Sequence, residues 1–160
     1  MPQSEQETPI YFDDISIGQR YKTPGRTITE ADIVNFAGLS ADYNSLHVDD
    51  EYAAKSPYGA RVAHGLLVLA VTSGLTTRLN FSSRLSPSIL GLLEVTCKWP
   101  NPTFAGDTVH VVVTVDDTYL TSSETKGIIE LSRTTVNQRA ETVMDSNWKL
   151  LIGRHEENAE

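Results

Sequence analysis

Little in this sequence points toward a membrane, a nucleic acid or an oxidising compartment. One cysteine, Cys97, stands in 160 residues, which excludes an internal disulfide and any zinc site built on thiolates. No segment reaches the roughly 20 apolar residues that a bilayer span needs. The best candidate, 65–79, is shorter and carries hydroxyls at Thr72, Ser73, Thr76 and Thr77, so it reads as a buried core helix. Basic residues are scarce: 13 Lys and Arg against 21 Asp and Glu give a net charge of −8. Nucleic-acid binding depends on neutralising phosphates with Lys and Arg, and no basic run or aromatic stripe offers that. A few local cations can still serve a small anionic ligand. The opening MPQSEQETP lacks the positive start and apolar run of a secretory signal. The expected location is therefore the cytoplasm.

What is present fits one soluble domain. The hydrophobic fraction of 39% and charged fraction of 21% are ordinary for a globular chain of this length. There is no repeat and no low-complexity linker. The polar ends, 1–9 and 156–160, are expected to be flexible, leaving a single domain over 10–155.

Periodicity places the elements. A strand is expected over 19–23, closed by Pro24-Gly25. Thr29 offers an N-cap, followed by acids at Glu30 and Asp32 and an apolar stripe at Ile33, Val34, Phe36 and Ala37. The next stretch, SADYNSLHVDD, is polar and is expected to be a loop. A short helix over 51–55 stops before Pro57. From Gly65 the chain is apolar on every side, so this helix should be surrounded by protein. Val109, Val111, Val113 and Val115 then alternate with more polar residues, which is strand periodicity. Further strands are expected over 90–98, 126–135 and 141–152. These elements give an α+β class, with an antiparallel sheet wrapped around the apolar helix as the economical packing.

The chemistry concentrates in the polar loop. Asp42, Asn44 and His47 fall within six residues, and Ala63-His64-Gly65 opens the apolar helix. A carboxylate and an imidazole on one curled loop can share proton transfer near neutral pH. By composition alone, a loop built for its own hydrogen bonds explains the same residues. His110 alternates with the valines and is expected on the solvent face. Cys97 lies on a strand as an inert thiol.

The run FAGLSADYNSLHVDDEYAAKSPYGARVAHGLL resembles the signature of MaoC-like dehydratases and (R)-specific enoyl-CoA hydratases. The matching residues are Asp42, Asn44, His47 and Asp49, then Tyr52-Ala53-Ala54 and Ala63-His64-Gly65. Lys98-Trp99-Pro100, Phe104 and Gly106-Asp107-Thr108-Val109 resemble a second family stretch. Two residues depart from the pattern. Ser45 stands where proline is usual, which frees the loop backbone there, and Ala41 stands where glycine is usual.

The resemblance implies a hot-dog fold: a five-stranded antiparallel sheet around a central apolar helix, paired edge to edge into a homodimer or a multiple of dimers. It implies hydration of a trans-2-enoyl-CoA to the (R)-3-hydroxyacyl-CoA, or the reverse, with no metal and no cofactor. Asp42 and His47 would act as acid and base, and the Gly65 N–H would hold the thioester oxygen. Asn44 would orient the loop or water, Ser73 would support the site from the helix, and His64 would lie beside the substrate while making a structural hydrogen bond. Arg61, Arg84 and Lys98 are candidates for the CoA phosphates. An acyl-CoA thioesterase on the same fold, a silent acyl-binding or scaffold subunit, and a dehydratase of branched or dicarboxylic substrates are the alternatives.

Overall fold

The computed structural model describes residues 8–155. The expected free ends therefore lie outside the described residues, except for Thr8 and Pro9, where the Thr8 carbonyl accepts a 2.8 Å hydrogen bond from Arg84 Nε. In chain order the elements are β1 Arg20–Lys22, β2 Arg26–Thr27, α1 Glu30–Ser40, α2 Ser45–Val48, α3 Asp50–Ala54, α4 Gly65–Thr76, α5 Asn80–Leu85, β3 Ile89–Lys98, β4 Thr108–Leu120, β5 Lys126–Val136 and β6 Thr142–Gly153. The strands run β1-β4-β5-β6-β3, all neighbours antiparallel, with β2 also on β4. Among the described residues, no helix is long and apolar enough to cross a membrane.

The sheet curls around α4 because its inner face is apolar at every second position. Val109, Val111, Val113 and Val115 on β4 are all buried, and so are Ile129 and Leu131 on β5 and Trp148, Leu150 and Ile152 on β6. They close on Leu67, Val68, Val71 and Leu75 of α4. His110, expected on the solvent face, is half-buried. Cys97 is also half-buried, and burial pushes its thiol pKa up, which suits an inert side chain.

Three expectations need correction here, and one element is added. The sheet has six strands, not five, because the first edge strand breaks in two at Pro24-Gly25. Pro24 cannot donate to the ladder, and Thr23 Oγ1 accepts from Val111 N–H in place of a carbonyl, at 2.9 Å. The polar loop contains a helical turn, α2, because Asn44 Oδ1 caps it by accepting from Leu46 N–H at 3.0 Å. One side of α4 is not surrounded: Leu66, Ala70 and Gly74, spaced four apart, are exposed in the protomer. The segment after α4 adds the helix α5, which buries Phe81 and Leu85.

Candidate active site

The site begins where α1 ends. Thr29 caps that helix in a reciprocal box with Asp32, and at the other end Ala41 turns the chain with φ 58°. A left-handed residue after the last turn ends a helix cleanly, and glycine is the residue that adopts it without strain. This turn lifts Asp42 away from α1, with Asp42 N–H donating to Ser40 Oγ at 3.2 Å. Asp42 Oδ1 accepts from Asn44 N–H at 3.3 Å, so carboxylate and cap share one short segment.

His47 sits on α2. Its Nδ1 lies 2.7 Å from the Val62 carbonyl oxygen, which can only accept. Nδ1 therefore carries the hydrogen and Nε2 is the nitrogen left for chemistry. Val62 is itself fixed, its N–H donating to Leu46 O at 3.1 Å and its backbone bridged to Phe104. His64 is buried, and its Nε2 donates to the Asp42 carbonyl at 3.0 Å. Its ring stacks on His47 at 3.8 Å between centroids and meets Phe36 at 5.0 Å. His64 thus holds Asp42 by its main chain and His47 by its ring face. Its buried Nδ1 has no hydrogen-bond partner among the described residues.

One ligand-type atom from each of Asp42, His47 and His64 lies within 4.8 Å of the others. Such a trio raises the question of a metal. The two rings are stacked 3.8 Å apart with only 29° between their planes. An ion about 2.1 Å from each nitrogen, the usual zinc–imidazole distance, could not lie in both planes. The arrangement suits proton transfer through one intervening water or substrate atom.

Gly65 is the first residue of α4, so its N–H has no partner inside the helix and sits at the positive end of the helix dipole. Trp99 lies flat against it: a Cβ at position 65 would meet the indole at 3.1 Å, and Trp99 Nε1 donates to Gly65 O at 3.0 Å. Together with His47, Tyr58 and Val62, these residues line a cavity of about 310 Å³. Trp99 was visible in the sequence only as part of a motif.

Asp42, Asn44, His47, His64 and Gly65 therefore come together. Ser73 does not join them. Eight residues along α4 amount to about 12 Å, and Ser73 lines a second cavity instead. Arg61 is clamped by Glu30 at 2.7 Å and Asp50 at 2.6 Å, which turns it into a brace between α1 and α3. Lys98 is exposed at the end of β3. Gly106 and Asp107 are structural: Gly106 has φ 91°, and the buried Asp107 carboxylate accepts from Phe104 N–H, Gln138 and Arg139.

A helix held in a curled antiparallel sheet, with the segment carrying Asp42 and His47 beside its N-terminus, defines a hot-dog fold. A family model described as the MaoC like domain matches residues 14–137, and the chain belongs to that family. It is similar to the (R)-specific enoyl-CoA hydratase of Rhodospirillum rubrum, at 40% identity over 105 residues, 66% of this chain and 69% of that protein. It is 38% identical to Protein MaoC of Klebsiella aerogenes over 104 residues, 65% of this chain but 30% of that protein. The chain thus spans under a third of the Klebsiella protein. Among solved structures, a monoamine oxidase regulatory protein from Archaeoglobus superposes with a TM-score of 0.88 at 32% identity, covering 92% of this chain and 97% of that one.

Proposed function

We propose that this protein is an (R)-specific enoyl-CoA hydratase, working in either direction between a trans-2-enoyl thioester and its 3-hydroxyacyl form. The observation that carries the reading is the placement of Asp42 and His47 within 4.8 Å, both held by main-chain bonds, beside the free N–H of Gly65. Hydration requires a proton taken from water, a proton given to the α-carbon, and relief of charge on the thioester oxygen. Asp42 accepts the proton as the water oxygen bonds to the β-carbon. In this reading His47 enters as the imidazolium, with Nδ1–H on the Val62 carbonyl and a second proton on Nε2; Nε2 steers the water and hands that second proton to the α-carbon. Gly65 N–H, at the helix N-terminus, takes the charge that builds on the thioester oxygen. Asp42 then returns its proton to His47, and the pair is restored. The hydratase name of the Rhodospirillum relative supports the same chemistry.

Dimerisation through β3 belongs to this reading. That strand ends the sheet, and Leu90, Leu92 and Leu93 are exposed along it. An open apolar edge is a template for another strand, and a second copy would supply it symmetrically. Light scattering at micromolar concentration should give a dimer or a multiple of one; a fully active monomer would remove this part.

The test of the activity is a panel of enoyl-CoA esters followed by loss of enoyl absorbance, with thiol release measured in parallel. Hydration without thiol release, yielding the (R) alcohol, is the expected result. Thiol release alone would replace the hydratase with a thioesterase.

A further inference from the structure

The second cavity, of about 370 Å³, lies beyond the far half of α4. Ser73 and Thr76 of α4, Phe81 of α5, Leu131 and Arg133 of β5, and Trp148 of β6 are among its lining residues. Arg133 is out of place there. It occupies an inward position of β5, between Leu131 and Thr135 in a row otherwise given to the core, and only 8% of it is exposed. Its register neighbours across the sheet are Val113 and Ser146. No carboxylate meets it: among the described residues its side chain makes no ion pair, and its buried Nε has no hydrogen-bond partner. Its guanidinium carbon lies 3.8 Å from the centre of the Trp148 ring.

A buried cation without a counter-ion is a costly thing for a core to keep. Burial pulls the Arg133 pKa down to about 10, which still leaves it charged at neutral pH. Because Trp148 covers one flat face, the guanidinium edges remain for a planar, two-oxygen partner, the geometry that suits a carboxylate. Arg133 is the one charged residue lining the cavity among the described residues, and hydroxyls from Ser73, Ser82 and Ser86 stand around apolar walls. One positive charge in such surroundings fits a single negative charge carried on an apolar body, rather than a phosphate.

We propose that the Arg133 cavity recognises a carboxylate, and that the acyl thioester handled at the N-terminus of α4 carries that carboxylate at its far end, as a dicarboxylic acyl chain. The second half rests on the hydratase reading; the first does not. Gly65 and Ser73 put the two cavities about 12 Å apart along one helix, a spacing that an extended acyl chain can cover.

Two measurements separate the halves. In the first, hexanoate and hexanol are compared by calorimetry and thermal shift on the full-length protein and on Arg133→Met, which keeps an unbranched apolar stem without the charge. Hexanoate should bind roughly tenfold or more tighter than hexanol, in keeping with a charged hydrogen bond, and Arg133→Met should abolish the difference. Equal binding of acid and alcohol, or discrimination that survives the substitution, overturns the proposal. If Arg133→Met does not fold, Arg133→Lys retains the charge without the fork and should weaken the discrimination. In the second, enoyl-CoA esters ending in carboxylate or methyl are compared at equal length. The kcat/KM ratio should favour the carboxylate by roughly tenfold or more and collapse in Arg133→Met; a ratio of one or below in the native protein overturns the substrate assignment. Hexanoate discrimination with no turnover of any enoyl-CoA would leave the carboxylate site supported and sink the hydratase reading instead.

Discussion

The two ends of α4 handle polar groups in opposite ways. At its N-terminus, each histidine has one ring nitrogen bound to a main-chain carbonyl, Val62 for His47 and Asp42 for His64. Both carbonyls are on segments fixed by other bonds, so the reactive atoms are aimed before any substrate arrives. Toward the C-terminal half, Arg133 is buried against a tryptophan face and has no oxygen partner among the described residues. At one end a main-chain bond fixes one nitrogen of each ring, which suits chemistry; at the other an uncompensated charge suits recognition. On the proposed function and the proposed carboxylate cavity, turnover and selectivity would lie in different parts of one helix's surroundings.

The largest expected effect tests the first end. Asp42→Asn and His47→Ala should each lower kcat by about a hundredfold or more, the usual scale of general acid–base catalysis. Asp42→Asn keeps the oxygen that receives the Asn44 N–H and the carbonyl that receives His64, so its thermal midpoint should hardly move. His47→Ala also strips the Val62 carbonyl of its partner and should cost about 1 kcal/mol or more in stability. Near-native turnover in either variant, measured on the best substrate, would break the comparison at its stronger end.

The next effect is on the tie between helix and sheet. Thr72 of α4 and Thr135 of β5 are both fully buried, and their hydroxyls meet at 2.8 Å. Thr72→Val leaves the Thr135 hydroxyl without that partner and should cost about 1–3 kcal/mol. The double variant, with Thr135→Val as well, should recover most of the loss, because two apolar groups of the same shape replace two polar ones. Urea denaturation of the four proteins measures the coupling. Additive losses would mean that the hydroxyl pair is not what joins α4 to β5.

Much of this architecture was legible in the residues. The alternating valines of β4 gave its inner face, and the Thr29–Asp32 spacing gave the start of α1. The loop carrying Asp42 and His47 stood out because polar residues with chemistry clustered next to an apolar helix. Other features were hidden for physical reasons. A four-residue helix such as α2 is too short for a period to show, and only the Asn44 cap announces it. The apolar composition of α4 could not tell its own sheet from a face left open, as Leu66 and Ala70 are. Ser73 looked close to Gly65 by helical phase, yet the rise along the axis separates them. Arg133 sits in KGIIELSRTTV at an inward step of the alternation, and only packing reveals that no acid follows it inside.

A smaller effect links acid stability to the first end. Burial works to raise the Asp107 pKa, but the Phe104 N–H, Arg139 and Gln138 together hold it below the ordinary aspartate range. A carboxyl depressed in the folded state adds stability that is present above its unfolded pKa of about 3.9. That stability disappears as pH falls through the lower folded value. Asp107→Asn should therefore be less stable than the native protein at neutral pH, and should lose less on acidification below about pH 4. Phe104 bridges to Val62, which holds His47, so the same substitution should also reduce turnover modestly at neutral pH. Urea midpoints with the same acid slope in both proteins would remove Asp107 from this chain of contacts.

The smallest effect concerns Ala41, whose backbone sets the direction in which Asp42 leaves α1. With φ at 58°, Ala41 adopts a conformation that costs an L-residue about 1–2 kcal/mol. Glycine at this position is free of that cost, although the unfolded chain gains freedom that offsets part of the benefit. The net expectation for Ala41→Gly is a gain of about 0.5–1 kcal/mol, seen as a higher urea midpoint with an unchanged slope. Asp42 keeps its anchors in the variant, since the bonds to Ser40, Asn44 and His64 involve atoms outside residue 41. kcat should consequently stay within about twofold of native, far from the loss expected at a general acid–base residue. A gain in stability with a fall in kcat of tenfold or more, on the order of 1.4 kcal/mol in the barrier, would show something different. The left-handed alanine would then be holding the Asp42 carboxylate at its working position, and the strain would belong to catalysis rather than to the helix end.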